Sequence, residues 1–119
     1  MTFKQNITIT KDYLFVRAEG KKNFKLMKEE YNKIAEYCSS TSIGKVLIDA
    51  TRLSGNLEVN DHLELGQSIP AQLNNKPIKM AIVKLKDNAN NFTEKVAQYR
   101  GANIQTFINI EEAYDWINE

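Results

Sequence analysis

The sequence has few of the residues from which metal and catalytic centres are built. Its 119 residues contain one cysteine and one histidine, so we expect neither an internal disulfide nor a zinc site. No G-x-G-x-x-G, G-x-x-x-x-G-K-[ST] or G-x-S-x-G pattern is present, so no phosphate-binding loop or nucleophile elbow is encoded. No apolar run approaches the roughly 20 residues that cross a bilayer, and the N-terminus lacks a secretory signal. We therefore predict a cytoplasmic, non-enzymatic protein without cofactor, metal or membrane segment.

The chain also lacks an excess of charge of either sign. Its 16 lysines and arginines oppose 15 aspartates and glutamates, a net charge of +1, so no overall field favours nucleic acid. One local cluster of lysines precedes and opens the first predicted helix: Lys21, Lys22, Lys25 and Lys28. Such a cluster fits either an anionic partner or a solvated face balanced by Glu29 and Glu30. We predict no binding to nucleic acid.

Hydrophobic residues at 42% and charged residues at 26% are ordinary values for a globular chain of one domain, residues 1–119. Apolar residues recur with alternating strand and helix periods, which predicts the order β-β-α-β-α-β-α-β-α. Alternating β and α units require parallel strands, and the opening hairpin adds one antiparallel pair. The predicted fold is α/β, a mixed and mainly parallel sheet of about five strands flanked by four helices.

The pattern also places the individual elements. Five strands are predicted: Phe3–Thr10, Tyr13–Ala18, Lys45–Ala50, Ile78–Leu85 and Ile104–Ile108. The helices are assigned from their capping residues: Asn23 for a helix to about Cys38, Asn60 or Asp61 for the second, Asn91 for the third, Asn109 for the last. Pro70 should kink or end the second helix, because proline has no amide hydrogen. Gly101 should terminate the third helix in the left-handed conformation.

Asp49 is the first candidate for a functional residue. The run Val46–Ile48 predicts a buried strand, and Asp49 follows it towards the edge where open α/β sheets place ligands. A partly desolvated carboxylate there could serve as base, ligand or anchor. Alternatively, Asp49 accepts hydrogen bonds from a turn over 51–55 or pairs with Arg52, because buried charges usually persist by being paired.

His62 and Cys38 have chemical and structural interpretations. His62 could act in general acid–base catalysis, since imidazole titrates near neutral pH, but a surface histidine on the first helical turn is the simpler account. Cys38 could be a nucleophile only beside a base, and its place on an apolar helical stripe favours a core position. We assign neither residue a catalytic role.

The element order, together with VLIDATRLSG, resembles the STAS domain and its SpoIIAA-like relatives, the fold of bacterial anti-sigma-factor antagonists. The likeness rests on short motifs over nearly the whole chain: Leu47-Ile48-Asp49, Leu53-Ser54-Gly55, Glu64-Leu65-Gly66, Ala81-Ile82-Val83, Tyr99-Arg100-Gly101 and Trp116-Ile117. Antagonists of this kind bind a partner kinase and are switched by phosphorylation of a serine that opens the second helix. The corresponding residues here are Leu57–Asn60, which contain no serine.

The resemblance implies a regulatory module that docks a protein partner through the turn after the central strand. The residues expected to contact the partner are Leu53, Ser54, Gly55, Leu57, Glu58, Asn60 and Asp61. The alternative function is binding of a small apolar or anionic ligand, in a pocket near Asp49, Lys84 and Arg100 at the carboxyl edge of the sheet. Its apolar form rests on the similar architecture of CRAL-TRIO lipid-binding domains.

A homodimer is a further expectation under one condition. The first two strands would have to leave an unpaired edge, or apolar residues of the early strands and the turn would have to be exposed: Tyr13, Phe15, Leu57 or Val59.

Overall fold

The computed structural model describes residues 2–73, 78–86 and 91–119. The elements follow the predicted order: β1 Lys4–Ile9, β2 Leu14–Lys21, α1 Phe24–Thr41, β3 Lys45–Ser54, α2 Val59–Leu73, β4 Lys79–Val83, α3 Phe92–Tyr99, β5 Asn103–Phe107 and α4 Ile110–Ile117. The five strands form one sheet in the order β1-β2-β3-β4-β5. Strand β1 pairs antiparallel with β2, and the other neighbours pair parallel. The predicted fold class is therefore confirmed.

The helices cover the two faces of the sheet unequally. Helices α1, α2 and α3 pack on one face, where the larger core cluster contains Ile34, Leu65 and Ala97. Helix α4 alone packs on the other face through Ala113 and Ile117. This division follows from connectivity, because three right-handed β-α-β crossovers running in one direction place their helices on the same face.

Strand β3 is central and buried on both faces, as its apolar sequence predicts. Val46 and Ile48 face the α1–α3 side, and Leu47 faces α4. The predicted end of this strand at Ala50 is wrong, because β3 continues to Ser54. The extension exists because β2 also runs further than predicted, to Lys21, and pairs with residues 52–54.

The β2–β3 pairing shifts register at the point where β3 was expected to end. Arg17 pairs with Asp49 but Glu19 pairs with Arg52, so β3 carries one more residue than β2 between these pairs. An extra residue of this kind bends a strand and increases its twist. The turn predicted over 51–56 is therefore limited to the residues after Ser54.

Helix α2 departs from its prediction at both ends. It begins at Val59, so Asn60 and Asp61 lie within its first turn rather than at its cap. It does not end at Pro70 but continues to Leu73. A proline near the end of a helix removes a single hydrogen bond, and burial of Ile69 and Pro70 holds this turn against the core.

The other helix boundaries agree more closely with the sequence pattern. Asn23 caps α1 by accepting a hydrogen bond from the Leu26 amide at 3.0 Å, although α1 extends beyond Cys38 to Thr41. Asn109 caps α4 by accepting from the amides of residues 111 and 112. Asn91 occupies the cap position of α3 but makes no capping hydrogen bond through its side chain. Gly101 has the expected positive φ, at 100°.

Some predictions lie outside the described residues or at their edges. The sequence also predicts that Lys76-Pro77 leads into β4 and that residues 86–91 form a polar loop, but residues 74–77 and 87–90 lie outside the described residues. Strand β4 is shorter than predicted at both ends, and β5 is displaced by one residue towards the N-terminus. Within residues 2–73, 78–86 and 91–119, no helix is both long and apolar enough to cross a membrane.

Candidate functional site

The segment Leu53–Asp61, which we call the docking segment, joins the carboxyl end of β3 to the first turn of α2. Most of its residues are exposed, whereas Leu53 and Leu57 are half-buried and pack against the larger core cluster. Gly55 turns the chain with a φ of 80°, a conformation that side chains with a Cβ rarely adopt. The segment is therefore anchored by two leucines and presents the residues between and after them to solvent.

An apolar pair extends this surface onto α2. Val59 is 67% exposed and Leu63 is 41% exposed. Residues four positions apart lie on the same face of a helix, so the two side chains form one apolar strip beside Glu58 and Asn60.

Asp49 lies on the opposite face of the sheet from α1–α3. It is buried, and its Oδ1 accepts hydrogen bonds from the Thr51 amide at 3.0 Å and the Thr51 hydroxyl at 2.6 Å. Its Oδ2 lies 3.7 Å from Arg17 Nε, so the paired cation is Arg17 rather than the exposed Arg52. These contacts stabilise β3 at its register shift. They favour the alternative in which Asp49 has a structural role rather than a chemical one.

A small cavity lies at the carboxyl ends of β2, β3 and β4, beneath α1, α2 and the start of α3. Its volume is about 40 Å³. Its apolar wall consists of core side chains: Ala18, Met27, Ile48, Ala50, Leu53, Leu57, Leu65 and Ile82. Its polar wall brings together six titratable side chains and one hydroxyl from distant parts of the chain: Lys22, Glu30, Tyr31, His62, Lys84, Thr93 and Glu94.

Two short polar contacts organise the polar wall. Lys84 Nζ, just after β4, lies 2.6 Å from Glu94 Oε1 on α3, and both side chains are largely buried. His62 Nδ1, on α2, lies 2.6 Å from the Thr93 hydroxyl, and the His62 ring also contacts Phe92. Both contacts link α3 to neighbouring elements, so the position of α3 depends on them.

Burial determines the protonation of the other groups. Desolvation raises the pKa of Glu30 to about 8, with a smaller opposing effect of Lys33, so its carboxyl group is mainly neutral at pH 7. Burial also raises the pKa of Tyr31 and keeps its hydroxyl protonated. The pKa of His62 is lowered, chiefly by desolvation and then by Lys22, so this ring is neutral at pH 7.

Lys22 is the remaining charged group of the cavity. Its pKa is lowered by desolvation and by repulsion from Lys84, and raised by a smaller effect of Glu94. Among the residues that the structure describes, Lys22 forms no ion pair. Among the described residues that line the cavity, Lys22 and Lys84 therefore accompany one acidic side chain, Glu94, besides the neutral Glu30.

The structure separates the three residues predicted to form a ligand pocket. Lys84 lines the cavity, Asp49 lies on the other face of the sheet, and Arg100 is exposed at the end of α3. The prediction that His62 is a surface residue is wrong. It is 7% exposed, because it lies on the same face of α2 as the buried Leu65 and Ile69 and contacts Thr93 of α3. Cys38 is fully buried in the core, as expected.

Sequence reasoning missed the cavity because its polar residues are scattered from position 22 to position 94. One signal was available in Glu30, which lies on the apolar stripe of α1 between Met27 and Ile34. A carboxylate at the spacing of core positions indicates a buried polar group. Within the described ranges, no three His, Cys, Asp or Glu side chains are grouped as metal ligands would be.

The four residues named for a homodimer differ in exposure. Tyr13 and Phe15 are half-buried against the α4 side of the sheet, Leu57 is half-buried against the core, and Val59 is exposed. Strand β1 is an edge strand of the sheet.

Comparison with family models found no match, and no curated protein matches the sequence. Solved structures of low sequence identity do match over nearly the full chain. An anti-sigma factor antagonist from Mycobacterium paratuberculosis is 10% identical with a TM-score of 0.66, covering 99% of this chain and 96% of its own.

Two further structures have the same fold. The anti-sigma factor antagonist SpoIIAA in its unphosphorylated form is 17% identical with a TM-score of 0.59, covering 98% of this chain and 96% of its own. An uncharacterised DUF3478 protein from Shewanella loihica, described as having a SpoIIAA-like fold, is 24% identical with a TM-score of 0.56, covering 97% and 93%. The five-stranded mixed sheet and its four helices thus make up the SpoIIAA-like, or STAS, fold.

Proposed function

We propose that this protein is a regulatory module that docks a protein partner through the docking segment and the exposed face of α2. The observation that carries the proposal is the apolar pair Val59 and Leu63, exposed beside polar residues at the start of α2. Structural neighbours that are anti-sigma factor antagonists support a regulatory role. The expected contact residues remain those named from the sequence: Leu53, Ser54, Gly55, Leu57, Glu58, Asn60 and Asp61.

The partner would be recognised without the phosphorylated serine of the family. SpoIIAA has been solved in phosphorylated and unphosphorylated forms. The first turn of α2 here carries Val59, Asn60 and Asp61, and none of them is a phosphoacceptor. Ser54 donates a hydrogen bond to the Gly20 carbonyl at 3.4 Å and belongs to β3, which argues against a role as the missing serine. We propose constitutive docking rather than a phosphorylation switch.

The test compares two exposed aliphatic residues in different segments, one at the start of α2 and one directly after β5. Val59→Arg places a charge in the docking surface, whereas Ile108→Arg changes a residue of similar exposure, 58%, beyond β5. Immobilised wild-type protein should retain a defined partner from a lysate of the native organism. Val59→Arg should lose that partner and Ile108→Arg should keep it. Retention by both variants, or loss by both, would contradict the proposal.

Leu57 is a poorer probe, because it packs against the core and lines the cavity. Truncating it would alter the stability of the docking segment together with any contact to the partner. Glu58→Gln is a suitable second variant, because Glu58 is exposed and contributes its backbone carbonyl to the His62 amide. Removal of its charge should weaken partner binding without changing the melting temperature.

Binding of a small ligand is the second candidate function, and the cavity favours it. Mostly apolar pockets with a few convergent polar groups are the usual form of ligand sites. A volume of about 40 Å³ suits a polar group of a few atoms. An apolar ligand as large as benzene needs a cavity of roughly 150 Å³. Native mass spectrometry of freshly purified protein tests this function, since a retained ligand supports it and bare protein opposes it.

A further inference from the structure

We propose that the cavity between Lys22 and Lys84 binds a carboxylate group. This inference rests on the ligand-binding function and gives its ligand a chemical class. The carboxylate could belong to a small free acid or to an acidic side chain of the docked partner, because both present the same group.

Lys22 contributes a cation to the wall of the cavity. Glu94 is committed to Lys84 at 2.6 Å, and Lys22 has no ion pair among the described residues. Glu30, although it lies in the same cavity, is mainly neutral at pH 7 because burial raises its pKa to about 8. Lys22 is half-buried and loses part of its hydration at the cavity, and an entering anion offsets that cost.

The size of the cavity selects among anions. About 40 Å³ holds roughly three water-sized groups, since each needs about 10–15 Å³ on this measure. A carboxylate has three heavy atoms at its head and fits this space. A nucleotide or a sugar phosphate requires a pocket of roughly 300 Å³ or more. The remainder of a larger acid would lie outside the cavity.

The lining combines hydrogen-bond donors with apolar side chains. The Lys22 ammonium, the protonated Tyr31 hydroxyl and the neutral Glu30 carboxyl are all able to donate hydrogen bonds to a carboxylate. Charge-assisted hydrogen bonds of this kind are the strong ones, particularly where apolar walls such as Ile48 and Leu65 lower the local dielectric.

The experiment is a titration of ¹⁵N-labelled protein with sodium acetate at constant ionic strength, with sodium chloride as the matched salt. Amide resonances of residues 22, 30, 31, 62, 93 and 94 should shift and saturate with acetate and not with chloride. Lys22→Gln should raise the dissociation constant at least roughly tenfold, the loss expected for one charge-assisted hydrogen bond. Lys22→Arg should retain binding, and Lys25→Gln, which changes an exposed lysine at the start of α1, should leave it unchanged.

N-acetyl-glutamic acid amide, which mimics an acidic side chain, forms a second arm. Tighter binding of this compound than of acetate supports a carboxylate supplied by the partner, and equal binding supports a free acid. Absence of saturation with both compounds, identical shifts with chloride, or unchanged binding by Lys22→Gln would overturn the inference. An apolar molecule retained in native mass spectrometry, without acetate binding, would leave ligand binding intact and reject only the carboxylate.

Discussion

Glu30→Gln tests the account of the cavity through its effect on stability. Glu30 is 6% exposed, and its pKa is raised from 4.5 to about 8 by desolvation. In the unfolded chain this carboxyl group ionises near its ordinary pKa, whereas in the folded protein it keeps its proton to about pH 8. The folded state therefore binds more protons than the unfolded state between these values, so stability falls as the pH rises through that range.

The size of the effect follows from the two pKa values. Each unit of difference corresponds to about 1.4 kcal/mol, and between pH 5 and pH 7.5 the wild-type protein should lose about 3 kcal/mol through this group. Glutamine has the shape of the neutral acid and does not titrate. The stability of Glu30→Gln relative to wild type should therefore increase by about 3 kcal/mol over the same interval.

The assay is urea unfolding followed by circular dichroism at pH 5 and pH 7.5 for both proteins. His62, with its lowered pKa, makes stability rise with pH as the unfolded histidine loses its proton near pH 6.5, but this contribution is common to both proteins and cancels. Glu29→Gln is the matched control on the exposed side of α1 and should differ from wild type by less than about 0.5 kcal/mol at both pH values. If wild type and Glu30→Gln differ in free energy of unfolding by the same amount at pH 5 and at pH 7.5, the Glu30 carboxyl group is not held neutral and its assigned protonation is wrong.

Three substitutions test the packing around the site by the same unfolding assay. Gly66→Ala should destabilise by about 1–3 kcal/mol, because its Cβ would lie 2.6 Å from Val96 Cβ and 2.7 Å from the Thr93 carbonyl oxygen; a stability equal to wild type would refute the close α2–α3 contact. Ser42→Gly should stabilise by about 0.5–1 kcal/mol, since Ser42 ends α1 with a φ of 60°; destabilisation would argue against that conformation. Asp49→Ala should lower the free energy of unfolding by about 2–3 kcal/mol, because the Thr51 hydrogen bonds and the Arg17 contact are lost. Arg52→Ala should lower it by less than about 0.5 kcal/mol, and equal losses would contradict the pairing of Asp49 with Arg17.

The architecture could be predicted because its determinants are local and periodic. The run Val46–Ile48 has no polar residue, so it required a strand covered on both faces, and β3 has that position. Asn23 and Asn109 are capping residues, and both accept hydrogen bonds from the amides of the following turn. These signals lie within a few residues of the structure that they specify.

The site could be predicted less well because it depends on pairing between distant segments. The extension of β3 beyond Ala50 exists through hydrogen bonding with β2, which no pattern within 50–54 reveals. The inward position of His62 depends on Thr93, 31 residues later. Lys84 was selected as a pocket residue at the carboxyl edge of the sheet, but Glu94, with which it forms an ion pair, lies on a different element. Ion pairs between separate elements leave no periodic pattern in the sequence from which they could be predicted.

The most direct test of partner docking is photo-crosslinking from single positions in cells of the native organism. A benzoylphenylalanine residue replaces Val59 in one protein and Ile108 in another, since both positions are exposed and belong to different segments, the start of α2 and the residues after β5. Docking through α2 predicts a discrete adduct with a different protein from position 59 and none from position 108. An adduct with a second copy of the chain alone, an adduct only from position 108, or no adduct from position 59 would contradict it.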